Sequence, residues 1–494
     1  MEMPSLESMT KRNDSGMHAA LRIREIQSLI FNVLVHDLKA LARLARCCTS
    51  FRDPALDSSW PDEYLSESEC IRLDFYARRV RYINDSSDQF HNSAVIRLAT
   101  LRPSRCFFPN LRELKLTVGP GGHVPDNLPA LNLPSIRRIE FSNSTDGDVA
   151  YSVLRSLSAL GPSFNELKVA GKMPHLIQSF IARHPQLASI DLEDCQIISP
   201  TTERPPIYHE LLREVAGMPS LTTLILPKNL HLYSIPDSYV GFPCLTKLDI
   251  CGPPTMVTKF LRMLSPGVLE DFEVYPQDSL HESQQTAKQW FDCLKTLHER
   301  GATSLRRVII ESRLTGLGSS VPVGKLLQPL LGMRKLENLS LLYFPKLQSS
   351  HVRSMSAAWP ALKRLVLSDF NITDDFEDNG LNSDNSTSSI LRSAIYDWDF
   401  FSQVPRLFEN LDFLSITMPL EGATLEENAG VHHNLRHLWI LTPHGGTAVM
   451  ALEKKILYAR VLNRLFPRLD DLFIDGETPD LFDLMLNFRE VAAG

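Results

Sequence analysis

A chain of 494 residues, 43% hydrophobic and 22% charged, is longer than one compact core usually supports, so several domains or a repeating array are expected. A net charge of −7 without a long basic stripe argues against nucleic acid as a partner. Eight scattered cysteines at no metal-ligand spacing argue against a disulfide framework or zinc site, and the N-terminus around Lys11, Arg12 and Asp14 lacks an apolar core. No run reaches membrane-spanning length, so the cytoplasm or nucleus is the expected compartment.

Residues 1–16 are polar and expected to be disordered, whereas residues 17–60 read as a compact helical unit. Ile23, Ile26, Ile30, Phe31 and Leu34 share one helical face. Asp37 can cap a second helix carrying Leu38, Leu41, Leu44 and Ala45, and Pro54 suits the first turn of a third running towards Trp60. Three short helices cannot bury that apolar surface among themselves. They dock on another protein, or they cover the open end of the larger C-terminal part of the chain. Residues 61–107 read as a linker and N-terminal cap.

From residue 108 to 477 one short phrase recurs thirteen times: apolar, two variable residues, apolar, one variable residue, apolar. The copies begin at Leu111, Ile136, Phe164, Leu187, Leu221, Leu245, Leu269, Leu305, Leu336, Leu362, Leu411, Leu435 and Leu469. Most lie about 23 to 36 residues apart, which brackets the leucine-rich-repeat period. Proline stands two positions before the phrase at Pro109, Pro134, Pro185, Pro219, Pro243, Pro360 and Pro467, ending one helix and launching an extended segment. Only Leu187 to Ile197, with Cys195, completes the longer repeat pattern.

Helical-period runs lie between the phrases, among them Tyr151–Leu160, Leu176–Ala182, Tyr208–Val215, Met256–Leu264, Trp290–Leu297 and Met450–Leu465. The fold class is therefore α/β, a right-handed solenoid of irregular repeats with a parallel sheet on its concave face and helices outside. An acidic polar loop at about residues 373–389 interrupts the array, and residues 478–494 form a C-terminal capping helix.

In each phrase the residue between the last two apolar ones faces away from the core. Along the array these residues are mostly charged in the first half and become aromatic towards the end, at Trp439 and Phe473. With Phe413, His437 and Asp471 they make the candidate substrate-binding patch, since aromatic rings with a polar rim are what interface hot spots contain. The alternative is that a loop or the final helix, Leu481–Val491, folds over these rings as core.

The strings EIQSLIFNVL, LKALARLARCCTSFRDPALDSSW and DFYARRVRYI resemble the F-box and following segment of fungal, mushroom-type F-box leucine-rich-repeat proteins. The F-box likeness covers about Leu21–Trp60, with Ile23-Arg24 standing where the family often has Leu-Pro. The resemblance implies a three-helix F-box and a substrate-adaptor role in an SCF-type cullin-RING ubiquitin ligase. It also implies docking on a Skp-family adaptor, and through it a cullin, by residues among Ile23, Ile26, Ile30, Phe31, Leu34, Leu41 and Leu44. The alternative function is a free-standing repeat scaffold with no ubiquitin role.

No catalytic residue, cofactor site or metal site is expected. Gly316, Gly318, Gly324 and Lys325 lack phosphate-loop spacing, with Leu326 where Ser or Thr should stand. His432, His433 and His437 have no neighbouring cysteine or acid in the phrase to complete a metal set.

Overall fold

The computed structural model describes residues 75, 77–85, 108–118, 134–143, 154–155, 157, 164–174, 177–198, 208–228, 241–275, 284–312, 321–367, 395–419, 434–441, 452–474 and 480–493. The segment 17–60, expected from the sequence to be helical and carrying Ile23, Ile26, Ile30, Phe31, Leu34, Leu41 and Leu44, lies outside them, as does the expected acidic loop. The chain divides into two units. The smaller comprises Met1–Val80, Asn92–Asn110 and Ala130–Leu133; within it the Arg79 guanidinium lies 4.0 Å above the Phe75 ring, and Asn110 Nδ2 donates to the Arg78 carbonyl at 2.6 Å.

The larger unit holds fifteen parallel strands among the described residues. They are β1 (Tyr82–Asp85), β2 (Glu113–Val118), β3 (Arg138–Asn143), β4 (Glu166–Pro174), β5 (Ser189–Asp191), β6 (Cys195–Ile198), β7 (Thr223–Ile225) and β8 (Lys247–Cys251). Further along the chain come β9 (Asp271–Tyr275), β10 (Arg307–Glu311), β11 (Asn338–Leu342), β12 (Arg364–Leu367), β13 (Phe413–Thr417), β14 (His437–Leu441) and β15 (Asp471–Ile474). They pair in chain order, except that β5 passes directly to β7 while β6 pairs with the second half of β4.

Thirteen strands begin two residues after the first apolar residue of a phrase, so each copy delivers one strand. The first twelve phrases keep all three apolar residues at most 3% exposed, which fixes the register because a one-residue slip would turn them outward. In the thirteenth, at β15, Leu472 is only partly buried. β6 follows the one copy that completes the longer pattern; its Cys195 is buried and burial pushes the thiol up to about 12. β1 has no phrase of its own.

A second regularity holds the strands at their starts. The carbonyl of the residue just before a strand, from Arg112 to Arg436, accepts two consecutive amides at the entrance of the next strand, as Arg81 does for β2, at 2.7–3.1 Å. The entrance amides are thereby paired, as a buried backbone requires. Four of the seven prolines, Pro185, Pro243, Pro360 and Pro467, occupy the second position of a turn closed by Leu187, Leu245, Leu362 and Leu469 N–H donating to the carbonyls of His184, Phe242, Trp359 and Phe466 at 3.1–3.5 Å. Fixed φ suits proline there. The bulky residue before each of these prolines is buried and plugs the space under the incoming strand, with Trp359 fully so.

The helices are α1 (Ile177–Ala182), α2 (Tyr208–Ala216), α3 (Pro254–Met263), α4 (Gln284–Gly301), α5 (Val323–Leu331), α6 (Ser349–Ala358), α7 (Trp398–Leu407), α8 (Leu452–Leu465) and α9 (Asp480–Ala493). Their starts follow local chemistry: Pro254 opens α3, and the Asp397 side chain accepts from the Phe400 amide at the head of α7. Gly324 and Lys325 lie in the first turn of α5, not in a glycine-rich loop before it. Successive helices pack on one another, α3 on α4, α4 on α5 and α8 on α9. Strand, turn and helix repeated in this order, with the phrase leucines as core, make an irregular leucine-rich-repeat array.

Candidate protein-binding face

Strand alternation turns every second residue away from the core, and parallel register lines these residues up across the sheet. Lys115, Glu140, Lys168, Asp191, Ile225, Asp249, Glu273, Ile309, Ser340, Val366, Ser415, Trp439 and Phe473 form one continuous row. A second row, two residues earlier in each strand, runs from Glu113 and Arg138 through Asp271, Arg307, Asn338, Arg364, Phe413 and His437 to Asp471.

The first third of this face is a ladder of cross-strand charges. Lys115 Nζ lies 2.6 Å from Glu140, Arg138 spans Glu113 and Glu140 at 3.6 and 3.8 Å, and Lys168 lies 3.3 Å from Asp191. Charges committed to one another in this way contribute little each, and they offer a partner few free groups.

The middle is crowded with carboxylates. Arg307 bridges Asp271 at 2.9 Å and Glu273 at 3.0 Å, while the Tyr275 hydroxyl donates to Glu273. The Asp249 carboxyl beside them is pushed up to about 8, first by burial and then by the negative charges of Glu273 and Glu193, with Lys247 acting the other way. Asp249 is therefore mostly protonated at neutral pH. Burial, followed by the bond to Glu273, raises the Tyr275 phenol in the same neighbourhood.

Towards β15 the face becomes aromatic. The Arg364 guanidinium sits 4.0 Å over the Phe413 ring; Phe413 and Trp439 have centroids 5.4 Å apart, and Trp439 and Phe473 follow at 5.5 Å. Phe413 is 9% exposed and joins Leu342 and Val366 in an apolar cluster, against which Tyr343 and Trp439 pack. Phe473, by contrast, is 39% exposed. Trp439 Nε1 donates to Asp471 Oδ2 at 3.2 Å, and His437 Nδ1 lies 3.8 Å from the same oxygen.

All five residues read from the sequence thus fall on three adjacent strands of one face. Phe413 forms its floor, and Trp439, Phe473, His437 and Asp471 form the accessible part. Sequence reasoning missed Arg364 and Tyr343; the cue for Arg364 was its strand-start position one strand before Phe413. The final helix, α9, packs against α8, where Arg489 donates to the carbonyls of Phe466 and Leu469 and to Asn463 Oδ1 at 2.9–3.0 Å. It closes the end of the helix layer and leaves Phe473 exposed. Among the described residues, no three His, Cys, Asp or Glu side chains converge as a metal site, and no helix is long and apolar enough to cross a membrane.

No family model matches this chain, and no curated protein matches it. Solved structures similar to it include an internalin from Listeria monocytogenes, at 12% identity over 75% of this chain and 84% of that one, with a TM-score of 0.38. A chain of the Rad7 and Elc1 complex in yeast matches at 15% identity over 88% and 98%, with a TM-score of 0.36. The leucine-rich repeat-containing protein LegL7 from Legionella pneumophila matches at 12% identity over 76% and 98%, with a TM-score of 0.34.

Proposed function

We propose that this chain is a non-catalytic protein-binding scaffold that serves as the substrate-recognition subunit of an SCF-type cullin-RING ubiquitin ligase. The face around Trp439 and Phe473 takes the protein substrate. The segment Leu21–Trp60, through Ile23, Ile26, Ile30, Phe31, Leu34, Leu41 and Leu44, docks on a Skp-family adaptor. The observation that carries the binding reading is the continuous outward row, which passes from self-paired charges to accessible aromatic residues at one end. The ligase reading rests on the F-box resemblance of the N-terminal strings. Function then follows from proximity: a chain that binds at both ends raises the effective concentration of target lysines near a ubiquitin-charged enzyme, with no catalytic group of its own.

Co-expression with a Skp-family adaptor tests this reading. The full chain is expected to co-purify with the adaptor, and Ile30→Asp combined with Leu34→Asp to cut its recovery at least about tenfold, because charges at the centre of an apolar interface are not compensated. A well-folded monomer that never retains the adaptor would support the free-standing scaffold instead.

A further inference from the structure

Resting on the reading of this face as a binding surface, we infer that its partner is a protein segment that lays an arginine on the exposed Phe473 ring and pairs it with Asp471. Three observations converge on a cation. The Trp439 and Phe473 rings pack against each other, with centroids 5.5 Å apart and planes at 49°, and Phe473 is 39% exposed. Asp471, whose side chain is 52% exposed, stands beside this ring pair, and its Oδ2 is oriented by the Trp439 indole N–H at 3.2 Å. The same face already holds an internal example of the geometry, with the Arg364 guanidinium 4.0 Å over Phe413 two strands from Asp471 in the same row.

The physical argument is one of elimination. An apolar anchor laid on these rings would strip water from Asp471 and bring its charge no new partner beyond the Trp439 indole N–H and His437. An acidic anchor would meet the carboxylate directly and the negative ring faces as well. A cation alone satisfies both, by attraction to the ring quadrupoles and by a charge-assisted hydrogen bond to Asp471. Arginine suits the site better than lysine, since a planar guanidinium stacks on a ring while its edge still donates to a carboxylate. The net charge of −7 favours the approach of a basic segment from a distance.

The test pans a random twelve-residue peptide display library on the full-length chain, followed by fluorescence polarisation with the enriched peptides. Peptides whose binding is lost on Trp439→Ala or Phe473→Ala are expected to carry an arginine. Asp471→Asn, which keeps an acceptor for the indole N–H but removes the charge, should weaken them about tenfold. Replacing the peptide arginine by the neutral isostere citrulline should cost as much, and the two changes together little more than either alone. Peptides that need both rings yet are indifferent to citrulline and to Asp471→Asn would overturn the arginine assignment and leave the binding face standing. A library yielding no peptide dependent on either ring would remove the binding face itself. Unchanged thermal melting of the Asp471→Asn chain separates lost recognition from lost folding.

Discussion

Trp359→Ala should lower the stability of the array by about 3–5 kcal/mol, the range for truncating a large buried aromatic residue. Trp359 is fully buried at the end of α6, and its Nε1 donates to the Leu330 carbonyl of α5 at 3.0 Å. Its own carbonyl accepts from Leu362 at 3.2 Å, closing the turn that admits β12. Truncation therefore opens a cavity between two helices, removes one of the donors to the Leu330 carbonyl, which keeps the Met333 N–H at 2.9 Å, and loosens a strand entrance. Trp359→Phe should fall between the two, keeping most of the volume and losing the hydrogen bond. In a repeat array, stability is distributed among neighbouring units. Hydrogen exchange should accordingly accelerate first in α5, α6, β11 and β12, and a urea melt should show the loss. A cost below about 1 kcal/mol would mean that Trp359 is not a core plug.

The second large effect concerns pH. The Asp249 carboxyl is held near 8 in the fold against 3.8 for a free aspartate, so between these values the folded chain keeps a proton that the unfolded chain has released. Stability from this group is whole below about pH 4 and is lost as pH rises through about 8. With about 1.4 kcal/mol per unit, even half of this displacement amounts to roughly 3 kcal/mol. Asp249→Asn mimics the protonated form in shape and charge. Its melting temperature is expected to match the parent near pH 4 and to exceed it increasingly up to pH 9. A variant that tracks the parent at every pH would show that Asp249 ionises normally in the fold.

Trp359 and Asp249 mark how far the sequence was legible. The phrase leucines predicted every strand from β2 to β5 and from β7 to β15, because period-two alternation and burial act locally and are written in adjacent residues. The prolines were legible as punctuation. Their position inside a closed turn, after a buried Trp359 or Phe466, was not, since it depends on the carbonyl three residues before the strand phrase. β1 carries no leucine phrase and was missed.

On the binding face, alternation alone placed Trp439 and Phe473 outward. What it did not give was the contrast between them and Phe413, which is covered by Val366, Leu342 and neighbouring side chains from strands tens of residues away. The charge ladder and the Asp249 displacement have the same origin: they arise only when coils stack and bring Asp249, Glu273 and Glu193 together. The resemblance at Leu21–Trp60 was read from the sequence, and that segment lies outside the described residues.

The most direct test of the central claim places a photoreactive benzoylphenylalanine at position 473, and in parallel at the paired-charge position 115 and the exposed helix position 213, in cells expressing the full chain. Position 473 should cross-link to a protein distinct from any Skp-family adaptor, with positions 115 and 213 giving little, and Trp439→Ala should abolish the product. Cross-linking at 213 or 115 with none at 473 would place the partner elsewhere and contradict a binding face at the aromatic end of the sheet.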